Sequence, residues 1–149
     1  MTILEASIGV TKLGLDTSPF IYYVEDSALY SELCDQFFQQ IDEGKIEGVT
    51  STLTLTEALI LPLRNQEFEK VQLYRTLLGS TPGIRLVPVD FQIANKAADL
   101  RVRYNLKTPD ALQVATALMA GCEAFLTNDK GLRRVEELRV LVLDDLLDL

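Results

Sequence analysis

The 149-residue chain contains no histidine and no tryptophan. Without imidazole, no triad that uses histidine as base can be built, and zinc or iron sites that depend on histidine ligands are excluded. Cysteine is scarce: Cys34 and Cys122 stand far apart and form no Cys-x-x-Cys pair. They cannot build a structural zinc site, and they read as reduced core residues of a cytoplasmic protein, with a disulfide as the alternative. No apolar run approaches the ~20 residues that span a bilayer. The opening Met1-Thr2-Ile3-Leu4-Glu5 has no basic segment ahead of an apolar one, so no signal peptide is expected. Positive charge is also in deficit. Lys and Arg number 14 against 22 Asp and Glu, a net charge of -8, whereas nucleic-acid surfaces are ordinarily basic because affinity comes from counterion release. The tools left for catalysis are carboxylates, hydroxyls, lysines and a hard metal ion.

The hydrophobic fraction of 48% and charged fraction of 24% are those of a soluble protein, and the length suits one domain spanning 1–149. Lys12 to Thr17 reads as a short strand ending on a polar step, followed by a helix with Ser18 as cap and Pro19 at its first position. Apolar residues between Ala28 and Glu43 recur near the helical period, and Gly44 ends that helix. Strands are expected at Ile46–Ser51, Ile84–Val89, Ala124–Thr127 and Arg139–Leu143. Helices are expected at Thr54–Leu63, Glu67–Leu78, Asp90–Tyr104 and Thr108–Ala120, with a short helix or turn at Lys130–Glu137. Residues 1–11 form a leader, either an extra edge strand or a disordered arm, and 144–149 an acidic tail. This alternation predicts an α/β fold: three α/β/α layers around a mainly parallel sheet of four to five strands.

In such a sheet ligands bind beyond the carboxyl ends of the strands. Asp16 and Asp129 each follow a strand and fall on that rim, and Glu57 opens the helix after the second strand. Asp110 opens a helix that follows another helix, so topology alone does not place it. Each acid also has an ordinary reading. Thr54-x-x-Glu57 matches a capping box, Asp110 complements a helix dipole, Asn128-Asp129-Lys130-Gly131 makes a turn, and Asp16 bonds Ser18. The set of four shifts the balance.

Leu15-Asp16-Thr17-Ser18 resembles the first motif of PIN domains, and Thr56-Glu57 the acid of their second. Thr108-Pro109-Asp110-Ala111-Leu112-Gln113-Val114-Ala115 is similar to the third motif, an Asp opening an alanine-rich helix. Phe125-Leu126-Thr127-Asn128-Asp129 resembles the fourth. The resemblance runs from about Leu13 to Leu143 and implies a parallel sheet between helices. It also implies a ribonuclease of the VapC toxin type, a small antitoxin partner and a homodimer. A non-catalytic PIN-like binding module and a housekeeping RNA-processing nuclease are the alternatives. A haloacid-dehalogenase phosphatase would need an acid where Ser18 stands, and a receiver domain would need paired acids after the first strand and a late lysine.

Crowded carboxylates repel, by about 4 kcal/mol for two charges ~4 Å apart at an effective dielectric near 20. They therefore hold protons or bind a cation. All-oxygen ligands select Mg²⁺ or Mn²⁺, which would activate water and stabilise the charge that develops on phosphate. Asp16 is expected as principal ligand, Asp110 and Asp129 as further ligands directly or through water, and Glu57 as ligand or general base. Thr17, Thr127 and Asn128 are candidate supports or phosphate contacts. Lys107, Lys130, Arg133 and Arg134, with Arg64, are candidate RNA contacts that would offset the overall acidity. Tyr22 and Tyr23 are candidates for stacking on unpaired bases.

Overall fold

Strands β1 (Lys12–Leu15), β2 (Glu47–Ser51), β3 (Ile84–Val87), β4 (Ala124–Thr127) and β5 (Arg139–Val142) form one all-parallel sheet in the order β3-β2-β1-β4-β5. This is a computed structural model that describes residues 3–147. The helices are α1 (Ile3–Ala6), α2 (Thr17–Val24), α3 (Ser31–Asp42), α4 (Thr52–Arg64), α5 (Phe68–Ser80), α6 (Phe91–Tyr104), α7 (Thr108–Met119) and α8 (Leu143–Leu146), with a 3-10 turn at Lys130–Arg134.

Side chains alternate across each strand and so feed two cores. Leu13, Leu15, Ala124 and Leu126 join Phe20, Phe37, Ile41, Tyr74 and Leu78 of α2, α3 and α5. Val49 and Phe125 join Ile93, Leu100, Ala111 and Val114 of α6 and α7. The three layers follow directly, as expected. Gly14 faces the second core, where an added Cβ would lie 2.6 Å from Ala117 Cβ and 2.8 Å from Phe125 Cδ1. A glycine there lets α7 press against β1, which seats the helix that carries Asp110.

The chain steps outward from β1 to β2 and β3, then returns to the other side of β1 with β4 and β5. The order therefore reverses between β1 and β4, the position at which open α/β sheets form a ligand crevice. Leu13 pairs with Ala124 and Leu15 with Leu126, and Asp16 N donates to Leu126 O at 3.0 Å. The segments carrying Asp16 and Asp129 thus leave the sheet side by side.

Several boundaries differ from expectation, each for a local reason. The cap of α2 is Asp16, not Ser18, because its carboxylate accepts from Thr17 N. The cap of α4 is Ser51, the last residue of β2, whose hydroxyl accepts from Leu53 N. That starts the helix before Thr54, so Glu57 lies in its second turn and the capping-box reading falls. The helix expected from Ala28 begins at Ser31, and Gly44, with φ of 73°, follows its end. The leader is neither an edge strand nor a loose arm over its described residues. Ala6 and Val10 are buried, and Arg139 Nη1 donates to Ala6 O and Ile8 O at 2.8 and 2.9 Å. Met1, Thr2, Asp148 and Leu149 lie outside the described residues. Cys34 and Cys122 are both free and buried, which overturns the disulfide alternative. Among the described residues no helix is long and apolar enough to cross a membrane.

Candidate active site

Asp16 leaves β1 on the carboxyl rim with both oxygens committed. Its Oδ1 accepts from Thr17 N at 2.8 Å and its Oδ2 from Thr127 Oγ1 at 2.7 Å. The bond to Ser18 proposed by the ordinary reading is replaced by these two. Thr127 Oγ1 in turn accepts from Asp129 N at 3.0 Å, so one hydroxyl ties the first acid to the loop of the fourth. Asp129 Oδ1 accepts from Gly131 N at 2.8 Å; its turn-forming role is real and coexists with a place on the cavity wall. Glu57 Oε1 accepts from Thr17 Oγ1 at 2.7 Å.

Asp110, the acid that topology did not place, reaches the same rim through α6. After Asn105, whose φ is 52°, Arg101 staples the turn into α7: its Nε donates to Leu106 O at 2.9 Å and its Nη1 to Thr108 Oγ1 at 2.8 Å. The four acids line one cleft of about 760 Å³ together with Ser18, Tyr22, Ile60, Leu61 and Lys130. Four elements distant in the chain supply them.

Burial pushes the Asp16 carboxyl up to about 6, against the hydrogen bonds from Thr127 and Thr17 that hold it down, and the charges of Asp110 and Glu57 add to the rise. Asp110 is also raised, first by burial and then by Asp129 and Glu57, while Lys107 and Arg134 oppose the shift. Negative charge is therefore gathered in the cleft and only partly compensated. Among the described residues no three acidic or cysteine side chains close on a single point tightly enough to hold an ion by themselves. The carboxylates instead ring a space. That arrangement fits Mg²⁺ or Mn²⁺ taken up by one or two carboxylates, with waters and phosphate oxygens completing the shell. Asp16, Asp110 and Asp129, with Glu57 directly or through a water, would hold it, and the oxygen-only donor set matches a hard cation.

Thr17 and Thr127 stand behind the acids, as hydroxyls bonded to Glu57 and Asp16. Asn128 is engaged within the protein: its Nδ2 donates to Tyr22 Oη at 3.2 Å and its Oδ1 accepts from Asp144 N at 3.0 Å. Of the basic residues, Lys130 lies on the cleft, 3.7 Å from Asp144 Oδ2. Lys107 and Arg134 act on Asp110, although Arg134 Nε also donates to Gly131 O at 2.7 Å. Arg133 pairs with Asp145, and neither it nor Arg64 lines the cleft. Tyr22 lines it with one ring face stacked on Tyr30 at 4.4 Å, whereas Tyr23 packs against Phe38.

Sequence reading missed Gln113, which is 2% exposed and donates from Nε2 to Thr54 Oγ1 at 2.9 Å and to Thr17 Oγ1 at 3.2 Å. The available signal was a lone amide on the apolar face of an alanine-rich helix, one turn after Asp110. Thr50 and Thr54, buried behind Glu57, carried no comparable signal.

The fold of this chain is shared with several solved structures. A chain of the VapBC2 complex from Rickettsia felis, bound to a DNA fragment from their promoter, superposes with a TM-score of 0.71 at 13% identity, covering 88% of this chain and 98% of that one. A chain of FitAcB from Neisseria gonorrhoeae gives 0.66 at 22% identity, covering 89% and 97%. A chain of a toxin–antitoxin complex from Klebsiella pneumoniae gives 0.64 at 21%, also covering 89% and 97%. No curated protein matches in sequence. The PIN domain model matches residues 14–138, a span that takes in all four acids, the second half of β1 and the whole of β2, β3 and β4. This chain belongs to the PIN-domain family.

Proposed function

We propose that the protein is a divalent-metal-dependent endoribonuclease, the toxin of a toxin–antitoxin pair, acting in the cytoplasm. The observation that carries the reading is the meeting of Asp16, Glu57, Asp110 and Asp129 around one cleft at the reversal point of the sheet, with Asp16 raised to about 6. The chemistry that Mg²⁺ or Mn²⁺ would supply there is a lowered pKa for a nearby water and neutralisation of charge developing on the phosphate. Asp16, Asp110 and Asp129 would hold the cation, with Glu57 joining them directly or through its water. Glu57, held by Thr17, orients the attacking water and takes its proton. The water oxygen would form the new bond to phosphorus as the bond to the leaving oxygen breaks; the leaving oxygen would take a proton from solvent water, and Glu57 would return to solvent the proton it captured. Lys130, Lys107 and Arg134 supply local positive charge to an otherwise acidic molecule. The antitoxin partner is supported by the fold shared with toxin–antitoxin complexes, and the homodimer by the family resemblance.

Incubation with a pool of defined RNAs, with and without Mg²⁺ or Mn²⁺, tests the reading. Cleavage that needs metal and is lost in Asp110→Ala supports it; metal-independent cleavage, or full activity in Asp110→Ala, removes it. The open ring of carboxylates also favours a second reading, a PIN-like module that binds without cutting. Mn²⁺ at 100 times its dissociation constant should stabilise the nuclease by ~2.7 kcal/mol, and no shift at millimolar Mn²⁺ selects the binding module.

A further inference from the structure

Behind the acids lies a buried chain of hydroxyls whose proton directions are determined. Thr50 Oγ1 donates to Leu15 O at 2.8 Å, which uses its single proton. The 2.7 Å contact between Thr50 and Thr54 is therefore donated by Thr54. Thr17 spends its proton on Glu57 Oε1. Thr54 and Thr17 are thus both acceptors toward Gln113, whose amide nitrogen heads both chains and also lies 3.4 Å from Glu57 Oε1. The amide has one workable orientation here, because reversing it would set its oxygen against the Glu57 carboxylate and against hydroxyls with no proton left to give.

This orientation has a cost. Gln113 Oε1 is buried without a hydrogen-bond partner, and an unmade bond in the interior is unfavourable. The helix pattern does not account for it: the other buried residues of α7 include Ala111, Val114, Ala115 and Ala117, whereas this side chain meets the hydroxyls of Thr17 and Thr54 and the Glu57 carboxylate. Among the described residues it is the one buried side-chain amide. A departure from the apolar pattern that stability does not explain marks a functional constraint.

We propose that Gln113 is a positioning residue of the site, its amide fixing the Glu57 carboxylate toward the cleft both directly and through Thr17. The inference rests on the reading that Glu57 serves a metal-dependent site. Gln113 touches neither substrate nor metal; it acts by restricting Glu57. Support of this kind behind a metal site commonly changes metal affinity by about 10- to 100-fold.

The test measures Mn²⁺ affinity by calorimetric titration, together with the melting temperature in EDTA, for wild type, Gln113→Met, Glu57→Gln and the double variant. Gln113→Met keeps chain length and removes the unpartnered oxygen. Its metal-free melting temperature should match or exceed that of wild type, while Mn²⁺ binding weakens by about tenfold or more. In the Glu57→Gln background the same substitution should add no further loss, since its route of action is already gone. Wild-type affinity in Gln113→Met, or an equal loss in both backgrounds, overturns the proposal. Gln113→Leu serves as the second variant if the first folds poorly. Wild-type protein that binds no Mn²⁺ would instead overturn the metal-site reading and this inference with it, an outcome visible before any variant is compared.

Discussion

Replacing Asp16 by Asn should stabilise the metal-free protein at neutral pH while destroying its metal response. The carboxyl sits at about 6 in the folded chain against 3.8 in its ordinary state, and each pKa unit is worth 1.36 kcal/mol. The difference amounts to about 3 kcal/mol. A carboxyl whose pKa is higher folded than unfolded favours the fold at low pH. That contribution is complete below 3.8, diminishes as pH rises, and is lost above about 6, where the ionised group burdens the fold. Asn keeps an oxygen for Thr17 N and offers an amide to Thr127 Oγ1, so the two hydrogen bonds survive in altered form. Allowing for imperfect replacement, ~1–3 kcal/mol of stabilisation is expected at pH 7.5. For a chain of this size that corresponds to roughly 2–4 °C in melting temperature per kcal/mol. Calorimetry in EDTA at pH 7.5 and pH 4 measures it: the gain should be present at the first and largely gone at the second. A lower melting temperature for Asp16→Asn at pH 7.5, or an equal gain at both, would refute the electrostatic argument. Survival of the wild-type Mn²⁺ shift in the variant would refute the ligand assignment.

Other consequences follow from particular contacts. Thr127→Val removes the hydroxyl that donates to Asp16 Oδ2 and accepts from Asp129 N; a loss of ~1–2 kcal/mol in denaturant unfolding is expected, with weaker Mn²⁺ binding. Gly14→Ala drives a methyl into Ala117 and Phe125 and should cost ~1–3 kcal/mol by overpacking, detected as a lower denaturant midpoint; an unchanged midpoint would show that α7 yields freely. Arg101→Ala frees the turn that delivers Asp110, so cleavage in Mg²⁺ should fall while the melting temperature changes little, as Arg101 is an exposed residue. Cys34 and Cys122 are buried and pushed up to about 12 by that burial. A thiol reagent at pH 8 should therefore label neither until the protein is unfolded, and rapid native labelling would contradict the packing.

Much of the fold was legible because its signals are local. Short apolar runs of the strands, the helical period after Ser31 and the glycines that end helices each act over a few residues, and a parallel α/β sheet follows from their alternation. Three of the four acids, Asp16, Glu57 and Asp129, were placed by the same logic, since whatever follows a parallel strand must emerge on the carboxyl rim. Helix starts were less legible: Ser51 and Thr54 are both competent caps, and the choice depends on where β2 releases the chain. With Ser51 as cap, Glu57 moves from a capping position to the second turn and the cleft wall.

The residue types, their order and the absence of histidine determined that the tools available for any catalysis here are carboxylates, hydroxyls, lysines and a hard cation, because those are chemical properties of side chains wherever they lie. The tertiary structure alone decided that Asp110 joins the others, because its position depends on the α6–α7 turn held by Arg101 and on how closely α7 approaches Gly14. It alone raised Asp16 to about 6, since desolvation and the nearness of Asp110 and Glu57 exist only once the layers close. It alone gave Gln113 its partners, which lie 59 and 96 positions away along the chain. Through-space electrostatics and hydrogen bonding at such separations leave no trace in local pattern, so they are settled by packing.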